Sequence, residues 1–275
     1  MEYSGIRISL ILPTFQPGDY IFDCLCSIYN QSLDFSLYEL IIVLNGDIEP
    51  YYSNIKKYLD GLSELFNYRI LTTQQKGVSN ARNVGMSISE GEFICFIDDD
   101  DMVSKFYLEK LYEKSSYKGV VLSSVIAFRQ NINNIDLKYF LYNKDVFDES
   151  CDSFFRLRSF FSVPWGKLIH KETIAGRKFD TRFNNGEDSL FITSLTSDIK
   201  IVSKAEAECV YYVRLRNGSA SRKKIPKMKI FRDTVLLIVQ YFKIYFSNPL
   251  SYNFLLFLSR IPGVIKNAYL LLNNH

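Results

Sequence analysis

Gly91-Glu92-Phe93-Ile94-Cys95-Phe96-Ile97-Asp98-Asp99-Asp100-Asp101 is an apolar, β-rich run that stops on four consecutive carboxylates. The apolar part reads as a buried strand. Four adjacent carboxylates repel one another, so a structure that gathers them needs compensating positive charge, and a divalent cation is the usual one. Oxygen-only ligands point to Mg²⁺ or Mn²⁺. Along an extended chain Asp98 and Asp100 share one face while Asp99 and Asp101 take the other. One face can hold a metal and the other a ribose or a structural contact. The competing reading is an exposed acidic turn, since Asp favours turns.

Working outward, residues 6–12 form a short apolar run ended by Pro13, and residues 19–30 place Ile21, Leu25 and Ile28 at helical spacing. Residues 40–44 read as a second buried strand, stopped by Asn45-Gly46-Asp47. A polar helix over 51–66, a strand over 68–72 and a helix over 78–89 lead to the run at 92–97. Strand and helix in alternation imply an α/β fold with a doubly wound, mostly parallel, Rossmann-like central sheet. Right-handed crossovers bring the C-terminal ends of its strands to one edge, where such sheets bind ligands. The polar loops 14–19, 45–47, 74–80 and 98–101 converge there. Farther on, the pattern predicts a helix over 107–114, a strand over 120–128, a helix over 186–197 and strands over 199–203 and 209–214. Residues 131–158 are polar and irregular and receive no element. From about Arg222 the chain becomes a helical, apolar C-terminal extension.

The 275 residues are 47% hydrophobic and 23% charged, which excludes a disordered chain. That length allows one large α/β domain with an extension. The net charge of +3 conceals an asymmetry: from Arg222 onward nine Lys or Arg accompany one acid, Asp233. The five cysteines (Cys24, Cys26, Cys95, Cys151, Cys209) are odd in number and lack zinc-site spacing, so reduced thiols of a cytosolic protein are expected. Glu2 and Pro13 argue against a signal peptide. No run of 18 apolar residues suggests a spanning helix. The only histidines are His170 and His275, which disfavours Ser-His-Asp chemistry.

Two further clusters hold candidate chemistry. In Lys76-Gly77-Val78-Ser79-Asn80-Ala81-Arg82-Asn83, Ser79 or Asn80 is expected to cap a helix whose N-terminus attracts an anion. Arg82 lies one turn inside, near the acidic cluster, unless it forms only a surface ion pair. In Gly186-Glu187-Asp188-Ser189-Leu190-Phe191 two acids open a helix, a placement the helix dipole alone would favour.

The ordered set Leu12-Pro13-Thr14-Phe15, Ile41-Ile42-Val43-Leu44-Asn45-Gly46-Asp47, Ala81-Arg82-Asn83-Val84-Gly85 and the Gly91–Asp101 run resembles glycosyltransferase family 2. Gly186-Glu187-Asp188-Ser189-Leu190-Phe191 and Tyr211-Tyr212-Val213-Arg214-Leu215-Arg216-Asn217-Gly218-Ser219 continue the match, which spans roughly residues 6 to 222. The resemblance implies a GT-A fold and an inverting glycosyltransferase. A catalytic domain over 1–221 would have a nucleotide-sugar half to about residue 101 and an acceptor half beyond it, with a tail over 222–275. Pro13, Thr14, Phe15, Asn45, Lys76, Arg82, Asp98 and Asp99 are then expected at the donor nucleotide. Asn45 stands where the family often has an aspartate that binds the base, and an amide can still read a uracil edge. Asp98 and Asp100 resemble the metal-binding DxD motif for Mn²⁺ or Mg²⁺. Asp188, with Glu187, resembles the catalytic base pair, and Trp165 and Lys167 resemble an acceptor-side segment. Arg214, Arg216 and Arg222 lie where cations approach a diphosphate or close a loop over it.

The implied partners are a UDP-sugar and a glycan or lipid-linked acceptor in bacterial surface polysaccharide assembly. Nucleotidyltransferases also pair such sheets with acidic metal ligands, but usually carry a Gly-rich basic loop after the first strand. Here that loop is Pro13-Thr14-Phe15-Gln16-Pro17-Gly18, with no base. A non-catalytic sugar-binding scaffold would not need Asp98, Asp100, Glu187 and Asp188. Nucleic acid is not expected, because the basic tail is also rich in Leu, Ile, Phe and Tyr. Lys223, Lys224, Lys227, Lys229 and Arg232 precede an apolar patch, and Pro249, Pro262 and Gly263 are expected to cut the tail into pieces too short to span a bilayer. The expectation is a peripheral protein at the inner face of the cell membrane, with homo-oligomerisation through the tail as the alternative.

Overall fold

The structure is a computed structural model in which residues 5–136, 138–139, 153–216 and 225–273 are described. The first half alternates as the apolar runs require: β1 (Ile8–Thr14), α1 (Tyr20–Tyr29), β2 (Tyr38–Asn45), α2 (Tyr51–Asp60), β3 (Tyr68–Thr73), α3 (Val78–Ile88) and β4 (Phe93–Phe96). β1 and β2 are buried at every position, which explains why they read as unbroken apolar runs rather than alternating ones. The chain continues through β5 (Met102–Val103), α4 (Tyr107–Glu113), β6 (Gly119–Leu122), β7 (Ser124–Arg129), β8 (Asn131–Ile135), β9 (Lys167–His170) and α5 (Lys171–Ile174). It ends with α6 (Glu187–Leu195), β10 (Ile201–Lys204), β11 (Val210–Arg214), α7 (Lys227–Ser247) and α8 (Phe254–Asn273).

Seven strands form the central sheet in the order β10-β6-β9-β4-β1-β2-β3. All neighbours are parallel except β9, which runs antiparallel to both β4 and β6. From β1 the chain winds outward to β2 and β3, then returns to place β4 on the other side of β1. That reversal opens a crevice at the C-terminal ends of β1 and β4, where doubly wound sheets receive ligands. A second sheet, β5-β11-β7-β8, supports the far side of the acidic turn.

Four sequence expectations change. The apolar run 120–128 is not one strand. It divides at Ser123, whose N–H and Oγ both donate to Gly166 O at 3.0 and 3.1 Å, sending β6 to the first sheet and β7 to the second. Part of the unassigned 131–158 stretch is the strand β8, and residues 140–152 lie outside the described residues. The helix expected over 51–66 ends at Asp60, before Gly61. Pro262 and Gly263 do not divide the tail: α8 runs through both as a 20-residue helix, long and apolar enough to cross a membrane. Its first half buries Leu256, Phe257 and Arg260 against the body of the protein, and this packing outweighs the local preference for a break.

Two glycines set the spacing beneath the crevice. A Cβ at Gly85 on α3 would lie 2.5 Å from Ile11 Cγ2, so α3 packs directly on β1. A Cβ at Gly91 would meet the backbone of β1, at 2.6 Å from Ser9 N. Backbone cannot yield as a side chain does, so Gly91→Ala is expected to destabilise the fold by about 1–3 kcal/mol in urea unfolding. A change below about 0.5 kcal/mol would mean that β1 and residue 91 are not packed this closely.

Candidate active site

Arg82 lies on the second turn of α3 and is only 2% exposed. Its Nη1 donates to Asp188 Oδ1 at 2.6 Å and its Nη2 to Asp98 Oδ1 at 2.8 Å. The Phe179 ring underlies the guanidinium at 5.2 Å. Burial opposes the charge on Arg82, but the flanking carboxylates more than compensate and hold its pKa above the usual value. One buried cation therefore ties the end of β4 to the start of α6.

The four aspartates turn rather than extend, with Asp101 N–H donating to Asp98 O at 3.1 Å. The alternation of faces expected from an extended chain is lost, and each carboxylate goes to a different element. Asp98 meets Arg82. Asp99 accepts from Thr14 Oγ1 at 2.5 Å, and burial with Asp100 and Asp98 beside it lifts its pKa to about 7. Asp100 accepts from Arg216 Nε at 2.6 Å; burial and Asp98 raise its pKa while Arg216 opposes the rise. Asp101 is buried, accepts from Arg214 N–H at 2.8 Å, and is pushed far up by that burial.

The opening pair of α6 also divides. Asp188 is partly exposed; burial raises its pKa while Arg82 holds it down. Glu187 is 5% exposed, and its Oε2 has no hydrogen-bond partner among the described residues. Burial, with Asp188 adjoining, lifts its pKa to about 8.

The remaining expected residues fall into two groups. Thr14 ends β1 beside Asp99, next to the buried Pro13; Phe15 is exposed with its ring over Gly46, and Lys76 is exposed before Gly77. Asn45 is 3% exposed and has one donor and one acceptor committed to backbone: Nδ2 donates to Thr14 O at 2.8 Å, and Gly77 N–H donates to Oδ1 at 3.1 Å. It ties the β1, β2 and α3 loops together. Neither Ser79 nor Asn80 caps α3; Gly77 occupies the cap with φ +124°, and Asn80 donates to Thr73 Oγ1 and Gln75 O.

Trp165 and Lys167 do not line an open acceptor face. Trp165 stacks on Tyr211 at 4.9 Å, and Lys167 is 1% exposed with Nζ donating to Val163 O and Trp165 O. Both are buried, and burial lowers the Lys167 pKa to about 7. Arg214 anchors the acidic turn by donating from Nε to Asp100 O and from Nη2 to Asp23. Arg222 lies outside the described residues. The sequence reading missed Tyr20, whose ring lies 4.1 Å beneath Arg216, and Tyr211, whose hydroxyl accepts from Asp98 N–H at 3.1 Å. Both read as ordinary apolar positions of a helix and a strand.

A divalent cation fits this donor set. No group of three or more His, Cys, Asp or Glu among the described residues is placed to hold a metal alone. Mg²⁺-type sites on nucleotides, however, use one or two carboxylates and complete the shell with phosphates and water. Asp98 and Asp100 carry carboxylate oxygens of that kind, each beside one arginine.

The sequence profile of glycosyl transferase family 2 matches residues 9–183. The chain belongs to this family. Over 90% of its length it is 24% identical to the poly(ribitol-phosphate) β-N-acetylglucosaminyltransferase TarP of Staphylococcus aureus, of which it covers 74%. It is 27% identical over 78% of its length to the glycosyltransferase GlyA of Streptococcus pneumoniae, spanning only 32% of that protein. The crystal structure of S. aureus TarS residues 1–349 with UDP-GlcNAc superposes with a TM-score of 0.69 at 19% identity, covering 98% of this chain and 72% of that one. The mannosyltransferase PcManGT of Pyrobaculum calidifontis, in complex with GDP-Man and Mn²⁺, gives 0.65 at 15% identity, covering 97% and 74%. The fold is the GT-A fold of these structural neighbours.

Glu187 gives the site a pH signature. Its folded pKa of about 8 lies above the ordinary glutamate value of 4.5, so the stability linked to its proton is complete below the lower value and is lost as pH rises through the upper one. Glu187→Gln cannot lose that proton. The variant is expected to melt with wild type near about pH 5 and above it near about pH 9. Equal differences at both pH values in a thermal scan would contradict a buried, protonated Glu187.

Proposed function

We propose that this chain transfers a sugar from a UDP-sugar to a hydroxyl of a glycan or lipid-linked acceptor, with inversion at the anomeric carbon. The observation that carries the reading is the Arg82 bridge, which sets the Asp98 end of the donor crevice beside a partly exposed carboxylate, Asp188. The crystal structures of TarS in complex with UDP and with UDP-GlcNAc support the donor class. The names of TarP and of the minor teichoic acid biosynthesis protein GgaB of Bacillus subtilis support a role in surface polysaccharide assembly.

Thr14, Phe15 and the Asn45–Gly77 junction frame the nucleotide. Asp98 and Asp100 would hold Mn²⁺ or Mg²⁺, which when bound offsets charge on the diphosphate. The acceptor oxygen attacks the anomeric carbon opposite the diphosphate. Its bond to that carbon forms as the bond from carbon to the phosphate oxygen breaks, and the electron pair leaves with the diphosphate. Asp188 takes the hydroxyl proton. Arg82 holds Asp188 Oδ1 and so directs the carboxylate, while Arg216 stands beside Asp100 as fixed positive charge for the leaving group. Glu187, protonated and buried, adds no second negative charge to the base.

Asp188→Asn is expected to lower sugar transfer by about 10²- to 10⁴-fold while UDP affinity by calorimetry stays near wild type. Asp100→Ala is expected to weaken UDP binding in Mn²⁺ and to lose most turnover. Full activity in excess EDTA would remove the metal from the reading, and an active Asp188→Asn would remove the base.

The tail supports docking on a membrane surface. Met228, Phe231, Val235, Val239, Phe242 and Phe246 on α7 are all exposed. At 3.6 residues per turn they fall within an arc of about 80°, opposite the buried Leu237 and Tyr241. Arg232, paired with Asp233, and Lys243 border one side of this stripe, and each base near an anionic leaflet contributes about 1 kcal/mol. Arg260 pins α8 to the body through Thr193, Phe161, Arg158 and Ser162, which favours lying on the bilayer over crossing it. The full chain is expected to float with anionic vesicles and to be partly released by salt. The double variant Phe231→Asp, Phe246→Asp is expected to stay unbound. A wild-type chain that ignores vesicles and forms a dimer broken by the same variant would make the stripe an oligomer interface.

A further inference from the structure

Between α6 and the hairpin of α7 and α8 lies a cavity of about 340 Å³. Asp188 lines it, so it begins at the carboxylate assigned above as base. Asn185 and Ser189 share that wall, and Thr234, Ser259 and Asn267 belong to the hairpin wall opposite. Such a volume lies in the range of small-ligand pockets, about 300–1,000 Å³. We propose that this cavity is the acceptor subsite and that it takes a saccharide or polyol unit, with the C-terminal hairpin as its specificity-determining wall. The proposal rests on the reading of Asp188 as the base.

The lining chemistry selects the ligand class. The Thr234 and Ser259 hydroxyls donate to Ile230 O and Leu256 O and keep lone pairs to accept from a ligand hydroxyl, while the Asn185 and Asn267 amides can both donate and accept. Asp188 and Asp233 on the lining are balanced by Lys229 and Arg260, so the lining carries no net formal charge and suits a neutral polyhydroxyl ligand. Leu237 and Val264 offer apolar contacts to the C–H face of such a ligand.

The wall is built in place rather than loosely apposed. Gly186 has φ +86°, and a Cβ there would lie 2.9 Å from Leu237 Cδ1, so α7 reaches the first residue of the Glu187-Asp188 turn. Tyr241 donates its hydroxyl to Ser189 Oγ at 2.9 Å, and Tyr252 donates to Ser194 O at 3.2 Å. Arg260, 6% exposed, donates to Thr193 Oγ1, Arg158 O, Ser162 Oγ and Phe161 O at 2.8–3.1 Å. These are neutral acceptors, and a buried guanidinium committed to them fixes the hairpin against α6. A preorganised wall of this kind lowers the cost of binding.

Ala268 lines the cavity on α8. Ala268→Phe fills the space, and Thr234→Val removes a hydroxyl at nearly constant volume. Both are examined as full chains with UDP and Mn²⁺ by saturation-transfer NMR, with methyl N-acetyl-β-glucosaminide, methyl β-glucoside and ribitol as probes. Wild type is expected to give a signal with at least one probe, Ala268→Phe to lose it, and Thr234→Val to weaken it several-fold. UDP binding and hydrolysis of UDP-GlcNAc are expected to stay within about twofold in both variants. A wild type that binds UDP but none of the probes, or variants that bind them as wild type does, would overturn the subsite. A wild type that neither binds UDP nor hydrolyses a UDP-sugar would overturn the glycosyltransferase reading itself and this proposal with it.

Discussion

The site depends on one buried guanidinium. Asp98 and Asp188 stand 90 positions apart in the chain, and Arg82 reaches both from a third element. Without it, two partly exposed carboxylates would face each other across the crevice. Removing one partner of a buried ion pair typically costs about 3–5 kcal/mol, because the other charge is left uncompensated. The sequence prepares the position of Arg82 at two points. Gly85, one turn farther along α3, lets the helix approach β1 closely. Phe179 supplies an aromatic face beneath the cation and packs on Phe191 of α6 at 3.8 Å. The same residues that seat Arg82 thus seat the helix that presents Asp188.

Much of the first half was legible because β1, β2 and β4 are buried at every position and end on polar loops. Burial on both faces gives continuous apolar runs, and the loops mark their C-terminal ends. The division at Ser123 was not legible for the same reason: a serine between two apolar stretches leaves the run intact, and only its bonds to Gly166 show the chain changing sheets. Within the site, the acids and Arg82 could be read because charge at the end of a buried strand is costly and so conspicuous. Asn45 and Lys167 were expected at ligands because they stand in the family's motifs, yet Lys167 donates to two backbone carbonyls and Asn45 gives one donor and one acceptor to backbone. Residue type announces hydrogen-bonding capacity and leaves its direction open.

The tail illustrates the complementary problem. Helices that are apolar around most of their circumference carry no single amphipathic period, because two surfaces are being served at once. On α7 the buried face holds Ile230, Leu237 and Tyr241, and the opposite face holds the exposed stripe. Pro262 misled for a related reason. A proline weakens a helix by about 3 kcal/mol in isolation, but here the preceding turn is anchored by the bonds of Arg260 and by Leu256 and Phe257 in the interior. Tertiary contacts decided a question that propensity had answered differently.

The four aspartates show how one short motif serves structure and chemistry together. Asp101 is buried and receives the N–H of Arg214 in β11, so it joins the turn to the second sheet. Asp99 joins the turn to the end of β1 through Thr14. These two fix the backbone, and the pKa of each is raised by burial, which limits the negative charge they add. Asp98 and Asp100 remain, each with an arginine on one oxygen. Their neighbours therefore supply position while they supply charge. Four consecutive aspartates would be an unstable arrangement on an extended strand. In a turn each points to a separate partner, and the repulsion that marks the motif in sequence is relieved by where the turn sends its side chains.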